Sequence, residues 1–576
     1  MHLNKKHVLV MGDDVRSFLS VVRSLGSKGL YVDSCSENHL SHALCSKYIH
    51  SVYSLPPYDL DNSKWVASLS EILCSKKYDL IIPCNDRSII PIMENIEKFK
   101  KFPIAVPNKT AYEVFYDKYE TRKLSSKLDV PIPNGRLLSM DDTPVSIAKS
   151  FGFPLIIKPR RSFNLEKVAF RNHVYKIKTF ESLTEILKKI KYPNEYLVEK
   201  FFPGTGAGVS VLSDSGRILV AFQHRRVNEP TEGGGSSYRK SVPLDKRLLN
   251  QVERLAKGAR LSGVSMFEFK INLKTNENIL VEVNARFWGS LPLAVGSGVD
   301  FPYFLYKHFI LKQDVVINNY KTDFYARNLV TDLYHKASCY DSIKNSNIRE
   351  KLFFSINYLK DYLRLFSGNE KIDSFALKDP MPALSEIFEI TQSIANKILK
   401  KSSAFTKLSS AIKKQKSVKV LKKNRSSMLS VAFICSGNIC RSPFAENYYK
   451  KFLDSHGGNL KIESYGLLPL EDRVCPKEAT LAGKKFNVNL NKHRSKYATN
   501  DVLEKTKLII VFDEKNEKNI KNRGLKRTGK VINLAHLIGL DKISDPYGGS
   551  EERFIQTYNL IEKCLKKVHH TLIVDQ

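Results

Sequence analysis

A cysteine and an arginine with the spacing of a phosphate-binding loop lie in the last third of this 576-residue chain. The apolar run 429–434 predicts a buried strand, and residues 444–453 predict a helix. The short loop between them begins with Cys435 and ends with Arg441. Loop amides and the positive end of a helix dipole converge at such a junction and attract an anion. We therefore expect a stabilised thiolate at Cys435 that faces a phosphate held by the guanidinium of Arg441.

The residues around this loop suit a covalent phosphate intermediate. Gly437 allows close backbone approach, and Asn438 can tie the loop together through side-chain hydrogen bonds. Ser442 can donate to the sulfur and stabilise the thiolate when a phosphoenzyme is hydrolysed. Further along the chain, Asp545 and Pro546 lie on a predicted loop, where an exposed carboxyl can serve as a general acid. Asp545 would protonate a leaving phenolate and then act as the base for water.

Together these residues resemble the low-molecular-weight protein tyrosine phosphatases over residues 428–576. Supporting segments follow in the order of that family, at 464–467, 493–495 and 508–513. The resemblance implies that Cys435 is the nucleophile, that Arg441 binds phosphate and that Asp545 is the general acid. Cys440 matches a second loop cysteine that, in the family, forms a reversible disulfide with the nucleophile.

The predicted substrate pocket departs from the family in one place. Family members often carry a large aromatic residue after the Ser-x-Gly stretch, as a wall for the substrate ring. Here residues 467–470 read Leu-Leu-Pro-Leu, and Tyr547 is the candidate for the other wall. The sequence therefore predicts the chemistry and leaves the substrate preference open.

Arsenate reduction is the alternative function for this domain, because the same fold serves both reactions. Thioredoxin-coupled arsenate reductases need extra cysteines near the strand that here ends at Phe512. Residues 508–533 contain no cysteine, and Cys475 and Cys564 lie elsewhere in the sequence. We therefore rank an arsenate-reductase-like domain second.

The first residues of the chain predict a doubly wound α/β unit. A strand at 7–11 ends in Gly12 and is followed by a predicted helix and a second strand. No G-x-G-x-x-G is present, so a dinucleotide site is not supported. Residues 78–86 read as another strand, whose polar end offers Asn85 and Asp86 to a substrate or to an ordinary turn.

Two lysines are candidates for binding an anion, although Lys118 alone carries no signal and only Lys158 occupies a position that calls for one. Lys118 lies in a predicted helix at 111–127, and Lys158 lies at the inward-facing end of the short apolar strand 152–159. A buried lysine is costly unless it meets a negative charge. An anionic ligand near Lys158 is therefore expected.

An oxygen-rich site is predicted on two antiparallel strands. The strands are predicted at 265–271 and 278–286. Glu268 lies in the first, and a period of two places Glu282, Asn284 and Arg286 on one face of the second. Two carboxylates and an amide oxygen are suitable ligands for Mg²⁺.

These residues resemble the ATP-grasp superfamily, most closely its carbamoyl-phosphate-synthase-like and biotin-carboxylase-like branch, over residues 5–310. The resemblance implies that ATP phosphates are held by Lys118 and Lys158, and that the adenine pocket is lined by Glu199, Lys200 and Phe202. It implies that one or two Mg²⁺, or Mn²⁺, are held by Glu268, Glu282 and Asn284, and that Arg286 stabilises an acyl phosphate. The implied reaction is an ATP-driven ligation of a carboxylate to an amine.

Two loops are expected over this site, at 160–167 and 229–237. The second is glycine-rich, and we expect it to exclude water from a labile acyl phosphate, with Arg226 near a carboxylate or phosphate. Many superfamily members have an acidic residue seven positions after the adenine-pocket glutamate, where this chain has Gly206.

The predicted fold class is a multidomain combination of α/β and α+β architecture. The predicted domains are a Rossmann-like pre-ATP-grasp unit at 1–112, an ATP-grasp domain at 113–310, a helical segment and basic linker at 311–427, and a phosphatase domain with a central parallel sheet at 428–576. Residues 396–425 contain eleven Lys or Arg and no acid. This stretch is predicted to be a solvated linker, or alternatively a contact for nucleic acid, a membrane surface or another acidic partner.

Composition gives the remaining expectations. The formal net charge of +33 comes from lysines spread along the whole chain, so nucleic-acid binding is not favoured. No apolar run approaches a membrane span, and nine scattered cysteines are typical of a reducing compartment, so a cytoplasmic protein is expected. We predict a bifunctional enzyme that uses ATP, a carboxylate, an amine and a phosphoprotein or phosphomonoester. The alternative is that one half is a non-catalytic binding module.

Overall fold

The structure is a computed structural model that forms two compact units, unit 1 at Met1–Thr391 and unit 2 at Gln392–Gln576. It describes residues 6–38, 40–58, 62–165, 168, 171–229, 235–317, 319–342, 347–401, 403–423, 430–455, 460–523 and 530–574.

Unit 1 begins with a four-stranded parallel sheet in the order β3-β2-β1-β4. Its strands are β1 (His7–Met11), β2 (Tyr31–Ser36), β3 (Ile49–Ser54) and β4 (Leu80–Pro83). Its helices are α1 (Ser17–Ser27), α2 (Asn62–Ser75), α3 (Asp86–Glu94) and α4 (Ile96–Phe99). β1 and β4 are apolar along nearly their whole length because helices cover both faces of the sheet.

A small antiparallel sheet follows in the order β5-β8-β6-β7. Its strands are β5 (Gly135–Leu137), β6 (Leu155–Pro159), β7 (Tyr175–Ile177) and β8 (Tyr196–Lys200). The helices of this region are α5 (Lys109–Phe115), α6 (Lys118–Lys127), α7 (Pro144–Phe151) and α8 (Phe180–Lys189).

A seven-stranded sheet in the order β13-β12-β9-β10-β11-β14-β15 completes unit 1. Its strands are β9 (Thr205–Asp214), β10 (Arg217–Asn228), β11 (Tyr238–Ser241), β12 (Gly263–Ile271), β13 (Asn278–Asn284), β14 (Tyr325–Arg327) and β15 (Glu370–Ile372). The accompanying helices are α9 (Lys246–Gly258), α10 (Leu291–Gly296), α11 (Phe301–Phe309), α12 (Leu329–Ser342) and α13 (Ile348–Leu363). Helix α14 (Met381–Lys401) extends across the boundary between the units.

Unit 2 is built on a four-stranded parallel sheet in the order β17-β16-β18-β19. Its strands are β16 (Ser430–Cys435), β17 (Lys461–Gly466), β18 (Leu508–Val511) and β19 (Val531–Asn533). Its helices are α15 (Ser403–Lys423), α16 (Arg441–Asp454), α17 (Lys477–Lys485), α18 (Asn500–Lys505), α19 (Glu514–Lys521) and α20 (Glu551–His569).

The predicted single helix at 111–127 is two helices, α5 and α6. The break occurs at Asp117, whose backbone is extended and whose carboxylate accepts hydrogen bonds from the backbone N–H groups of Tyr119 and Glu120. An aspartate in this position caps the new helix by satisfying its free amides. Lys118 consequently lies in the first turn of α6.

The segment assigned to a helical region after residue 310 also contains two strands of the large sheet. β11 pairs with β14, and β14 pairs with β15. Arg327 on β14 is fully buried and makes ion pairs with Asp332 at 2.6 Å and Glu370 at 2.7 Å. Sequence periodicity misses these strands because each has three residues and is held largely by buried ion pairs.

The basic stretch predicted as a solvated linker is helical within the described residues. α15 places Leu421 in the apolar core of unit 2, and Lys413 pairs with Glu514 at 2.7 Å and with Asp541 at 2.8 Å. The second half of this stretch is therefore part of the folded unit. No helix in the described ranges is long and apolar enough to cross a membrane.

Candidate active sites

The phosphate loop of unit 2 connects the end of β16 to the start of α16. Cys435 is the last residue of β16 and only 2% exposed. Its Sγ accepts a hydrogen bond from the backbone N–H of Asn438 at 3.3 Å and lies 3.1 Å from the Ser442 Oγ. Two groups that can donate hydrogen bonds therefore face the sulfur at the base of the loop.

Asn438 joins this loop to the neighbouring strand and loop. Its φ of +52° is in the left-handed region, which asparagine tolerates better than most residues. Its Nδ2 donates to the Oγ atoms of Ser442 and Ser464, both at 2.9 Å, and its Oδ1 accepts from the Lys496 N–H at 2.8 Å. Because the Ser442 oxygen accepts from Asn438, its own hydroxyl proton can go to the Cys435 sulfur or to the Tyr465 carbonyl oxygen, which lies 3.4 Å away.

Further hydrogen bonds fix Ser464, which contacts the Asn438 side chain, and the backbone carbonyl of Asn438. The Ser464 hydroxyl donates to Glu446, and the His493 Nε2 lies 2.8 Å from the Asn438 carbonyl oxygen. A carbonyl only accepts, so His493 carries its proton on Nε2. Burial lowers the pKa of His493, which favours this neutral form.

Arg441 is buried and is held by two aspartates. Its Nη1 donates to Asp513 at 2.7 Å and to the Ile543 carbonyl at 2.8 Å, and its Nη2 donates to Asp545 at 2.8 Å. Burial alone would lower the pKa of Arg441, but the negative charges of Cys435 and the two aspartates raise it. The Asp545 side chain is 41% exposed, so the structure brings a solvent-accessible carboxyl to the phosphate-binding arginine.

The rim of this site is mainly apolar. Leu468 and Leu470 are exposed, as is Tyr547 at 67%. The loop that carries the two leucines is anchored by the Leu468 N–H, which donates to the Ser436 carbonyl at 2.9 Å. An apolar rim of this kind suits the ring or hydrocarbon part of a phosphoester.

Four of the cysteines lie in one apolar cluster of unit 2. Cys435, Cys440, Cys475 and Cys564 all belong to this cluster and are all free thiols. Burial raises the pKa of Cys440, and it raises the pKa values of Cys475 and Cys564 to about 12. Cys475, which the sequence places far from the loop, is therefore close to it in the core but protonated at neutral pH.

The predicted ATP-phosphate lysines of unit 1 both contact glutamates. Lys118 Nζ donates to Ser162 at 2.8 Å and lies 3.9 Å from Glu282. Lys158 Nζ lies 2.9 Å from Glu199 Oε2, whose other oxygen is 2.6 Å from Arg122. Glu199 is therefore neutralised by two cations inside the domain.

Glu268 and Glu282 are direct cross-strand partners on β12 and β13. Glu268 pairs with Arg226 at 2.6 Å and accepts from the Asn284 Nδ2 at 3.3 Å. Burial raises the pKa of Glu268. Burial opposes ionisation of Glu282 too, but Lys118 and other nearby cations hold the pKa of that carboxyl at about 2. Two adjacent carboxylates with one amide form an all-oxygen donor set, which fits Mg²⁺.

Arg286 connects this donor set to the first sheet. Its Nε and Nη2 each donate to one oxygen of Asp86 at 2.8 Å, and Nη2 also donates to the Asn284 Oδ1 at 2.9 Å. Asp86 is the first residue of α3 and lies three residues after the end of β4. The sequence offered Asp86 as a substrate contact, and the structure uses it to orient Arg286.

A pocket lies at this junction. Its lining includes Asp86, Lys118, Ser162, Glu282 and Asn284. The structure thus gathers residues from the first sheet, α6 and β13 around one space.

The predicted adenine-pocket residues face in different directions. Glu199 is buried, Lys200 is exposed and Phe202 is half-buried. The backbone N–H of Gly206, where an acid was expected, donates to the carboxylate of Glu229. A carboxylate is therefore present beside Gly206, although it comes from the end of β10.

Parts of the two predicted loops lie outside the described residues, namely 166, 167 and 230–234. Sequence reasoning missed Arg122 and did not give Asp513 a role. Arg122 follows Lys118 by four residues on α6, so the helical spacing places both on one face. Asp513 lies two residues after the end of β18, and Cys435 ends the neighbouring β16, so the shared sheet edge was the available signal.

Comparison with known proteins finds a family match in each of the two units. Residues 430–576 match the family model described as low molecular weight phosphotyrosine protein phosphatase. A putative low molecular weight protein-tyrosine-phosphatase of Klebsiella pneumoniae is 31% identical over 134 residues, which cover 23% of this chain and 90% of that protein. Through these residues the chain belongs to the low molecular weight phosphotyrosine protein phosphatase family. The protein-arginine-phosphatase of Bacillus subtilis is 26% identical over 150 residues, which cover 26% of this chain and 99% of that protein.

Unit 1 matches a second family model, described as ATP-grasp in the biosynthetic pathway with Ter operon, over residues 193–329. The solved biotin carboxylase–β-γ-ATP complex of Campylobacter jejuni has a TM-score of 0.44 and 16% identity. That comparison covers 56% of this chain and 74% of the carboxylase chain. The predicted combination of an ATP-grasp region with a phosphatase domain, and its multidomain α/β fold class, are confirmed.

Proposed function

We propose that unit 2 hydrolyses phosphomonoesters, with phosphotyrosine as the preferred class, through a phosphate bound covalently to Cys435. The observation that carries this proposal is the Cys435 sulfur, which accepts from the Asn438 N–H and faces the Ser442 hydroxyl in a loop that ends at Arg441. The exposed Leu468 and Leu470 support an aromatic substrate, because they offer apolar surface to its ring.

In the first step the Cys435 sulfur attacks phosphorus, an S–P bond forms and the P–O bond to the leaving group breaks. Arg441 binds the equatorial phosphate oxygens in place of its present carboxylate partners. Asp545 gives its proton to the leaving oxygen. In the second step a water molecule attacks phosphorus and loses its proton to Asp545, and the S–P bond breaks. Ser442 donates to the departing sulfur and stabilises the thiolate.

The pairing of Asp545 with Arg441 suggests how the acid is prepared. When a phosphate dianion takes the guanidinium, Asp545 loses its cationic partner and gains a neighbouring negative charge. The carboxyl is then free to turn towards the leaving oxygen, as a general acid must.

Cys435→Ser tests the phosphatase proposal. The variant should lose p-nitrophenyl phosphate hydrolysis, whereas Cys74→Ser, at an exposed thiol in unit 1, should keep it. Turnover by Cys435→Ser would refute the assignment of the nucleophile. Phosphotyrosine and phosphoarginine peptides assayed side by side decide the substrate class, and faster release from phosphoarginine would overturn the tyrosine preference.

We propose further that unit 1 is an ATP- and Mg²⁺-dependent carboxylate–amine ligase. The observation that carries this proposal is the pocket in which Lys118, Glu282 and Asn284 meet. Lys118 and Lys158 would bind ATP phosphates, while Glu199, Lys200 and Phe202 would contribute to the adenine side. Mg²⁺ held by Glu268, Glu282 and Asn284 would neutralise phosphate charge.

The proposed reaction has two transfers. A substrate carboxylate oxygen attacks the γ-phosphorus of ATP, and the bond to ADP breaks. The amine nitrogen of the second substrate then attacks the acyl carbon, inorganic phosphate leaves and the amine loses a proton. Arg286, held by Asp86 and close to Asn284, stabilises the negative charge of the acyl phosphate.

Glu282→Gln tests the ligase proposal in a Cys435→Ser background, where phosphatase activity does not interfere. A screen of carboxylates and amines should show Mg²⁺-dependent ADP release that Glu282→Gln removes and Glu277→Gln, at an exposed site before β13, retains. Unchanged ADP release in Glu282→Gln would refute the role of this residue. A screen without ADP release would favour a binding module.

A further inference from the structure

Arg16 is a half-buried arginine, and no acid among the described residues forms an ion pair with it. It precedes α1, directly after the turn that follows β1, and its backbone N–H donates to Asp14 at 3.0 Å. Its guanidinium makes no hydrogen bond or ion pair within the part of the chain that the structure describes. A cation withdrawn from water in this way is unfavourable unless an anion joins it.

Two of the acids near Arg16 already have other hydrogen-bond or ion-pair partners. The Asp14 carboxylate accepts from the Ser17 N–H and hydroxyl at the start of α1. Asp373 is bound by Arg239 through two contacts of 2.6 and 2.7 Å. Glu386 is near enough to influence Arg16 but does not form an ion pair with it. By contrast, Arg226, Arg239 and Arg286 each form an ion pair with a carboxylate.

A second guanidinium lies beside Arg16. Both approach Gly289: a Cβ built on that glycine would lie 3.4 Å from the Arg16 Nη1, and the Arg239 Nη1 donates to the Gly289 carbonyl at 3.3 Å. Arg239 is almost fully buried, and its Nε has no hydrogen-bond partner among the described residues. Burial and the proximity of Arg239 lower the pKa of Arg16, which is the expected effect of two cations that share one region.

The position of this pair relates it to the ligase pocket. Gly289 follows Arg286 by three residues on the segment that leaves β13, and Gly235, which also packs against the Arg16 Nη1, lies just before β11. Arg16 itself lies beyond the carboxyl end of β1, where open α/β sheets bind their ligands. The donors of Arg16 and Arg239 therefore lie where the first sheet meets the large sheet, beside the chain segment that carries Arg286.

We propose that Arg16, together with Arg239, binds a carboxylate group of the organic acid that unit 1 activates, an inference that rests on the proposed ligase function. The planar guanidinium of Arg16 offers two parallel donors to the two carboxylate oxygens. Gly289 and Gly235 leave room beside it, because neither has a side chain to cover the guanidinium.

Calorimetric titration of the full chain with malonate and, separately, with inorganic phosphate tests this site. Arg16→Gln should weaken malonate binding by roughly tenfold or more, and Arg16→Lys by less, since it keeps the charge without the planar fork. Arg247→Gln is the matched control, because Arg247 is an exposed arginine that pairs with Asp245 on the surface. The control should bind malonate as the unmodified chain does.

Three results would overturn the proposal: no malonate binding to the unmodified chain, equal binding by Arg16→Gln, or Arg16-dependent binding of phosphate alone. Folding of Arg16→Gln is checked by whether Mg-ATP stabilises it against heat. If it does not fold, the malonate titration of Arg16→Lys tests the anion site instead. Arg16-dependent malonate binding without ADP release in the substrate screen would support the anion site and refute the ligase reaction. ADP release with an unchanged KM for the acid in Arg16→Gln would refute the anion site alone.

Discussion

Replacing Asn438 with alanine removes the side chain that ties the phosphate loop to the rest of unit 2. Its side chain makes three hydrogen bonds at 2.8 to 2.9 Å with Ser442, Ser464 and Lys496. At about 1 kcal/mol of net stability for each, their loss should lower the free energy of unfolding by about 3 kcal/mol. Alanine at a φ of +52° adds strain of about 1 kcal/mol relative to glycine.

Asn438→Gly is the matched variant that separates these two contributions. Both variants lose the side-chain bonds, but only alanine carries the strain, so Asn438→Ala should be the less stable by about 1 kcal/mol in urea denaturation. Both should lower kcat/KM for p-nitrophenyl phosphate by roughly 10²-fold, because Ser442 and the loop amides lose their fixed orientation. Wild-type stability and kcat/KM in Asn438→Ala would refute the role of this residue, and equal stability of the two variants would refute the strain argument.

Two further predictions concern stability. Burial, reinforced by two nearby arginines, lowers the pKa of His224 to about 3, so the folded state binds fewer protons than the unfolded chain below the ordinary histidine pKa. The free energy of unfolding is therefore unaffected by His224 above about pH 6.5 and falls as the pH is lowered, by about 2 kcal/mol at pH 5. Urea denaturation of His224→Gln should show a smaller fall over the same pH range. Leu421 is fully buried in the core of unit 2, so Leu421→Ala should destabilise that unit by about 2 to 4 kcal/mol, whereas Ile412→Ala, at a 56% exposed site on the same helix, should change stability by less than about 0.5 kcal/mol. Equal effects of the leucine and isoleucine variants would show that α15 does not pack on this core.

The phosphate loop could be anticipated because its chemistry is local in the sequence. Cys435, Asn438, Arg441 and Ser442 lie within eight residues, and the strand before them and the helix after them have clear apolar patterns. The roles of the residues that contact Asn438 could not be predicted in the same way. Their contacts depend on how β16, β17 and the following loops are arranged in space.

The carboxylate pair of unit 1 was accessible to sequence reasoning for a different reason. Alternation along β13 places Glu282 and Asn284 on one face, and β12 and β13 pair as expected, with Glu268 opposite Glu282. The counterions were harder to identify, since Asp86 and Arg286 are distant in sequence and meet only when the two sheets assemble. β14 and β15 were missed because three-residue strands carry almost no periodic signal.

The covalent mechanism of unit 2 is tested most directly by whether phosphate becomes bound to Cys435 during turnover. Asp545→Ala should slow hydrolysis of the intermediate, so rapid denaturation during p-nitrophenyl phosphate turnover, followed by ³¹P NMR and peptide mass spectrometry, should detect it. We expect a cysteinyl phosphate on the peptide that contains Cys435 and none in Cys435→Ser. Continued release of p-nitrophenol and phosphate with an unmodified Cys435 peptide at every time point would contradict it.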